Sequence, residues 1–196
     1  MNTANKITMS RIVMSVIIIF MLLFPFNQFG ISFPTYLIKE TLIDTKYVIV
    51  GFIFVIAALT DFLDGFIARR YNMITDFGKT IDAISDKLLT NSILIILSCQ
   101  GMINPFVTVI IIMRDTVTDA LKMLVGNKKG AVGAIKTAKW KTATLMVGLA
   151  LTLFYDFPFI YMNIAVSDFL LILAAILSLV SGYEYFNMSK PYLNAK

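Results

Sequence analysis

Four aspartates between positions 61 and 86 form two pairs whose spacing suits joint chemistry. Asp61 and Asp64 are three residues apart, and Asp82 and Asp86 are four residues apart. Either spacing places both side chains on one face of an α-helix. Two such helices meeting face to face would gather four carboxylates, which repel one another unless cations neutralise them. Because oxygen ligands select a hard cation, the four aspartates are predicted ligands of Mg2+, Mn2+ or Ca2+.

Small residues continue the helix faces that carry the acids. Gly65 and Ala68 extend the face of the first pair, and Gly78 begins the face of the second. The alternative is a set of charged helix ends that pair with nearby cations, namely Arg69, Arg70, Lys79 and Lys87. Pairing of that kind does not require glycines in register with acids, so a groove lined by carboxylates is the preferred interpretation.

The composition is that of a membrane protein. Of the 196 residues, 58% are hydrophobic and 15% are charged, and the mean hydropathy is +0.81. Soluble domains average roughly 25% charged residues. Several apolar runs approach the ~20 residues that cross a bilayer. The predicted fold is all-α: one polytopic membrane domain spanning residues 1–196, a bundle of six transmembrane helices with a short amphipathic N-terminal segment.

The apolar runs predict where the six helices lie. They are expected at about residues 12–26, 47–70, 76–98, 105–125, 135–154 and 164–186, with a short surface element near 39–46. The second helix ends with the first aspartate pair, and the third begins with the second pair. A short turn joins these two helices, so both pairs should lie at the same membrane face.

Charge asymmetry predicts the orientation of the chain. If the N-terminus is cytoplasmic, six crossings leave only Lys39 and Lys46 of the seventeen Lys and Arg residues outside. This distribution follows the positive-inside rule. We therefore predict a multi-pass protein of the cell membrane with both termini and the active site in the cytoplasm. The net charge is +5, but the basic residues are not interleaved with aromatic residues as on RNA-binding surfaces. No nucleic-acid partner is therefore predicted.

Missing residue types narrow the chemistry. The chain has no His and a single Cys, Cys99, which excludes histidine acid–base catalysis and a disulfide within one chain. A general base must then be a carboxylate, Lys or Tyr. Cys99 lies in an apolar run and is expected to pack there as a small hydrophobic residue.

Three cationic residues lie inside a predicted membrane helix or near its end. Arg114 lies about ten residues into the fourth helix, where a charge costs ~2.5–3.5 kcal/mol and needs a cavity or a partner. It either binds an anionic substrate or pairs with an aspartate. Lys139 and Lys141 either clamp a phosphate or extend to the membrane surface. Neighbouring charges in the fourth helix have the spacing of an ion-pair network within that helix, namely Asp115, Asp119 and Lys122.

The aspartate stretch resembles the signature of the CDP-alcohol phosphotransferase family. That pattern is D-x-x-D-G-x-x-A-R, eight residues, and G-x-x-x-D-x-x-x-D. The chain fills every fixed position, with Asp61, Asp64, Gly65, Ala68, Arg69, Gly78, Asp82 and Asp86.

Two further segments are similar to those of the phosphatidylglycerophosphate synthases in that family. They are an N-x-x-T-x-x-R opening, at positions 5–11, and a K-x-K-T run, at positions 139–142. The chain departs from their usual residues at Ala4 and Ala83 for Pro, Ala138 for Gly, and Asp115 for Glu.

The resemblance implies a reaction and a role for each residue. It implies transfer of a phosphatidyl group from CDP-diacylglycerol to sn-glycerol 3-phosphate, giving phosphatidylglycerol phosphate and CMP, by a homodimer among membrane lipids. The implied ligands of two Mg2+ or Mn2+ ions are Asp61, Asp64, Asp82 and Asp86. The implied CDP contacts are Asp61, Gly65, Ala68, Arg69 and Gly78. Asp86 would be the catalytic base, and Arg114, Lys139 and Lys141 would bind the acceptor phosphate.

Two alternatives remain open from the sequence. Another family member could use a different acceptor: phosphatidylglycerol, as in cardiolipin synthases, or serine or an inositol phosphate. A cation transporter could also use carboxylates inside the membrane. A transporter needs a path through the bilayer, however, and here the acids cluster at one face with apolar half-helices beyond them.

Overall fold

The computed structural model of this chain describes residues 3–39, 41–70, 76–129, 135–162 and 164–193. Side chains are described within these ranges except at 3–7, 62–70, 76, 77, 79, 80, 124–129, 192 and 193. These residues form six α-helices: α1 (Thr3–Leu23), α2 (Thr45–Arg70), α3 (Asp76–Cys99), α4 (Pro105–Lys129), α5 (Lys136–Leu153) and α6 (Val166–Leu193). They also form two strands, β1 (Thr35–Ile38) and β2 (Thr41–Asp44).

The helices follow the predicted order with different ends. The predicted amphipathic segment and first membrane helix are one continuous helix, because α1 already begins at Thr3. At the other end, α6 continues to Leu193 rather than stopping near residue 186. Polar residues end an apolar run without ending the helix, which accounts for both differences.

The described residues are mostly helical, as predicted, and a short hairpin is an addition to the predicted helices. β1 and β2 pair antiparallel, with Thr35 opposite Asp44 and Ile38 opposite Thr41. The run after Pro34 is rich in Thr, Tyr and Ile, which favour strands. Four-residue strands produce too weak a period to be recognised beside the long apolar runs.

The six helices pack in two groups of three. α1 contacts α2 and α3, while α6 contacts α4 and α5. The groups meet where α2 packs on α5 and α3 packs on α4. A shared core joins them through fully buried side chains such as Ile18, Phe54, Leu94, Leu149 and Leu171. Because α3 lies beside both α1 and α4, the second aspartate pair borders both groups.

Large apolar side chains cover the outside of the bundle. They include Val13, Phe20, Phe52, Ile56, Ile95, Val109, Met113, Val147, Phe169 and Ile176, all exposed. Surfaces of this kind mark contact with a membrane or a partner. Within the described residues, one helix (Val166–Pro191) is long and apolar enough to cross a membrane, and Thr8–Leu23 is a shorter apolar helix. Cys99 is exposed, so the prediction that it packs inside was wrong.

Candidate active site

The two halves of the aspartate signature meet at a buried arginine. Nη1 of Arg11, in α1, lies 2.5 Å from Oδ1 of Asp61 in α2 and 3.0 Å from Oδ1 of Asp82 in α3. The Arg11 side chain is fully buried, while the Asp61 and Asp82 side chains are 33% and 49% exposed. The helices therefore bring one carboxylate from each predicted pair to a single cationic group.

Asp86 lies one turn beyond Asp82 on α3. Its Oδ1 atom is buried and has no hydrogen-bond partner among the described residues. A buried carboxylate oxygen without a partner is costly, and a cation is one group that would satisfy it. The donor set is oxygen only, as Mg2+ or Mn2+ requires. On these two observations the residues fit a divalent cation.

Part of the predicted set lies outside the described side chains. These residues are Asp64, Gly65, Ala68 and Arg69; Gly78 is described and lies partly buried in the first turn of α3. Among the described residues, no three acidic side chains lie close enough together to hold a metal ion. The four-aspartate ligand set and the CDP contacts therefore stay predictions.

A polar cavity of about 130 Å³ opens beside Asp86. Its walls come from α3, α4 and α5. The lining residues are Asp86, Lys87, Thr90, Arg114, Asp115, Asp119, Lys122, Ala138, Lys141, Thr142 and Leu145. The cavity thus places the predicted base against two of the three predicted phosphate-binding residues.

One carboxylate pairs with two of the four described cations that line this cavity. Nη1 of Arg114 lies 2.8 Å from Oδ1 of Asp115, and Nζ of Lys141 donates to Oδ2 of the same residue at 2.6 Å. The side chains of Arg114 and Lys141 are only 9% and 6% exposed. Two positive charges share one negative charge in this trio, so it carries a net positive charge suited to an anion.

Lys139 is placed differently from Lys141. Its side chain is exposed, and it does not line the cavity. The two residues are separated by only Trp140, yet they point to different faces because successive helical positions turn by about 100°. The structure brings Arg114 and Lys141 together and leaves Lys139 at the surface.

The network predicted within α4 is replaced by contacts to other helices. Asp119 pairs with Lys87 of α3 rather than with Lys122. Nζ of Lys122 lies 4.8 Å from the centre of the Tyr185 ring in α6. Spacing within a helix permits an ion pair, but neighbouring helices supply closer partners here.

α6 contacts Arg114 and the start of α5, a role that the sequence did not predict. Ser181 accepts a hydrogen bond from Nη2 of Arg114 at 2.6 Å. The Tyr185 hydroxyl accepts one from the backbone N–H of Ile135 at 3.4 Å, and Glu184 accepts one from Thr137. These contacts tie α6 to the start of α5, which carries Lys141. The available signal was the Ser-Gly-Tyr-Glu-Tyr run, 181–185, inside an otherwise apolar helix.

A family model for CDP-alcohol phosphatidyltransferases matches residues 1–183. The chain belongs to this family. The match covers the two signature helices, Arg11 and every residue of the cavity. Membership in the CDP-alcohol phosphatidyltransferases confirms the resemblance that the aspartate signature predicted.

Curated relatives share most of the chain. A CDP-diacylglycerol–glycerol-3-phosphate 3-phosphatidyltransferase of Bacillus subtilis (strain 168) is 30% identical over 186 residues, covering 95% of this chain and 94% of the relative. The Rickettsia felis protein with the same description is 35% identical over 142 residues, 71% of this chain and 78% of the relative. The Mycoplasma genitalium protein so described is 35% identical over 154 residues, 77% of this chain and 64% of that protein.

Proposed function

We propose that this phosphatidyltransferase moves the phosphatidyl group of CDP-diacylglycerol to sn-glycerol 3-phosphate, forming phosphatidylglycerol phosphate and CMP. The observation that carries the proposal is the cavity in which the signature residue Asp86 faces buried Arg114 and Lys141. The relatives' descriptions name the same two substrates. A site for an anionic acceptor thus adjoins the aspartates that define the family.

The charge of the cavity favours a phosphorylated acceptor. Burying a cation costs several kcal/mol unless a partner compensates it. Arg114 and Lys141 share Asp115, which leaves one positive charge for a substrate to neutralise. Serine has no phosphate for these cations to bind, and glycerol 3-phosphate is small enough to suit so compact a space.

The proton acceptor in this proposal is Asp86. The acceptor hydroxyl oxygen attacks the β-phosphorus of CDP-diacylglycerol, the bond from that phosphorus to the CMP oxygen breaks, and the hydroxyl proton passes to Asp86. Support comes from its place in the cavity wall and from its Oδ1, which has no partner among the described residues. Arg114 and Lys141 hold the acceptor phosphate so that its hydroxyl lies within reach.

The nucleotide half of the site is proposed to bind two divalent cations. Asp61, Asp64, Asp82 and Asp86 would hold Mg2+ or Mn2+, which would neutralise the pyrophosphate and stabilise CMP as the leaving group. Gly65, Ala68 and Gly78 would let CDP approach the backbone, with Asp61 and Arg69 beside it. The fit of the carboxylate oxygens to a hard cation supports this part of the proposal.

Divalent-cation dependence is the direct test of the proposed reaction. Purified protein with CDP-diacylglycerol, glycerol 3-phosphate and Mg2+ is expected to release CMP. Excess EDTA should abolish release, and added Mg2+ or Mn2+ should restore it. Turnover unchanged by EDTA would contradict the metal site. Release of CMP at the same rate without glycerol 3-phosphate would contradict transfer to that acceptor.

The proposed arrangement in the membrane has six crossings with both termini and the site in the cytoplasm, in a homodimer. The exposed apolar residues on the helices support multiple crossings. The cation asymmetry supports the orientation.

Cysteine labelling tests that orientation in intact cells. In a Cys99→Ser background, Gln28→Cys and Asn187→Cys place an exposed thiol before the hairpin and near the end of α6. We expect an impermeant maleimide to modify Gln28→Cys from outside. It should modify Asn187→Cys only after permeabilisation, because Asn187 is two residues from Tyr185, whose ring lies near Arg114 and Lys122 of the proposed cytoplasmic site. The reverse pattern would invert the topology.

Gly182 is expected to position Arg114. A Cβ atom at Gly182 would lie 3.0 Å from Cγ of Arg114, closer than ordinary contact. Gly182→Ala should displace the guanidinium, weaken its bond to Ser181 and raise the KM for glycerol 3-phosphate about 2- to 10-fold, the value of one hydrogen bond. The matched control is Gly148→Ala, whose Cβ would meet Leu171 at 3.1 Å away from the cavity. It should lower thermal stability without changing that KM; equal KM effects would refute the positioning role.

A further inference from the structure

A buried polar stripe runs along the apolar helix α1. Thr8, Arg11 and Ser15 follow one another at helical spacing, and their exposures are 4%, 0% and 2%. The hydroxyl of Ser15 donates to the backbone carbonyl of Arg11 at 2.9 Å. α1 packs against both signature helices. The stripe therefore faces the region where α2 and α3 present their carboxylates.

Arg11 contacts two of the predicted metal ligands with one nitrogen. Nη1 reaches Oδ1 of Asp61 and Oδ1 of Asp82. Because the Arg11 side chain is fully buried while the two carboxylates are partly exposed, water screens the interaction only in part.

We propose that Arg11 is an internal counter-ion that stabilises the signature carboxylates when no metal is bound and lowers their affinity for divalent cations. The inference rests on the metal site of the proposed function. A fixed positive charge relieves the repulsion between Asp61 and Asp82 in the absence of metal. The same charge lowers the affinity for a divalent cation. A guanidinium that stays in contact with the carboxylates repels the cation, and one that is displaced loses its ion pairs.

Arg11 also affects the order in which divalent cations and the nucleotide lipid bind. The anionic pyrophosphate of the nucleotide lipid offsets the charge of Arg11, so divalent cations bind more favourably together with that substrate than alone. Arg11 thereby couples occupancy of the metal site to occupancy of the nucleotide site. It acts as a positioning residue, through the carboxylates, and takes no part in bond making.

Mn2+ binding to Arg11→Gln tests the proposal without measuring activity. Free Mn2+ is followed by electron paramagnetic resonance with purified protein in detergent. We expect about 5- to 30-fold tighter binding than in the wild type, the effect of one partly screened charge. We also expect Arg11→Gln to unfold at a lower temperature than the wild type in EDTA. The difference between their unfolding temperatures should be smaller at saturating Mn2+. Arg11→Lys keeps the charge and should bind Mn2+ with nearly wild-type affinity.

Controls separate this effect from general changes in charge or folding. Lys46→Gln removes one positive charge at the start of α2, far along the helix from Asp61, and should leave Mn2+ affinity unchanged. The double variant Arg11→Gln/Asp82→Asn removes cation and carboxylate together. It should unfold at a higher temperature in EDTA than Arg11→Gln alone, and it should fold even where Arg11→Gln does not.

Three outcomes would overturn the inference. Unchanged or weaker Mn2+ binding by Arg11→Gln would refute the counter-ion while leaving the proposed reaction intact. A double variant no more stable than Arg11→Gln would refute the neutralisation of Asp82. Absence of saturable Mn2+ binding in the wild type, with or without CDP, would remove both the counter-ion role and the metal site.

Discussion

Asp86→Asn is expected to lower the kcat for CMP release by about 10²- to 10⁴-fold, the usual cost of losing a general base. The amide keeps the shape of the side chain and one oxygen but cannot take up the proton of the acceptor hydroxyl. No histidine exists in the chain to replace it. Binding of CDP-diacylglycerol should be largely retained, since Asp86 is not among the proposed nucleotide contacts, which are Asp61, Gly65, Ala68, Arg69 and Gly78.

The comparison with Asp61→Asn makes this prediction specific. Asp61 does not line the acceptor cavity, so its loss should weaken metal and nucleotide binding instead. Single-turnover rates and equilibrium binding of CDP-diacylglycerol, measured on both variants, separate the two effects. Near-normal turnover of Asp86→Asn would show that Asp86 is not the base. Metal loss equal to that of Asp61→Asn would show that it is only a ligand.

Lys141→Met should raise the KM for glycerol 3-phosphate by roughly 10- to 150-fold, because each charge-assisted bond to phosphate is worth ~1.5–3 kcal/mol. The KM for CDP-diacylglycerol should change much less. Methionine fills a similar volume, and Asp115 keeps its second partner, Arg114, so the cavity should persist. Initial rates with each substrate varied in turn measure both constants.

Lys139→Met is the matched control for this prediction. It removes the same charge two residues away on an exposed face of α5. The sequence assigned both lysines to the acceptor phosphate, whereas the structure places only Lys141 in the cavity. Equal increases in KM for the two variants would favour a diffuse attraction of the anion over direct binding. Equal effects on both substrates would favour a structural role for Lys141.

The sequence predicted that the two aspartate pairs could approach one another, but not which cation they contact. Helical spacing alone placed Asp61 and Asp82 on faces that could meet, and the structure brings them to a common cation. That the cation is Arg11 could not be inferred from spacing. The pairing joins residues 71 positions apart in the chain, and it depends on how α1 packs on α3.

Tertiary packing also explains why the contacts in the cationic cavity differ from those predicted from the sequence. Lys139 and Lys141 have the same chemistry, and only the packing of α5 decides which of them is buried. Asp119 had a suitable neighbour within its own helix, yet it pairs with Lys87 of α3. Sequence patterns fix which residues share a helix face, while the neighbours of that face are a property of the tertiary structure. The β1–β2 hairpin was missed because four-residue strands carry little periodicity.

Product identification with single acceptors tests directly which reaction this protein catalyses. Purified protein is incubated with CDP-diacylglycerol, Mg2+ and one acceptor at a time: glycerol 3-phosphate, serine, an inositol phosphate or phosphatidylglycerol. CMP release and the mass of the lipid product are measured for each. We predict phosphatidylglycerol phosphate from glycerol 3-phosphate, at a rate well above that with any other acceptor. A lipid product formed from another acceptor, with none from glycerol 3-phosphate, would contradict the proposed function.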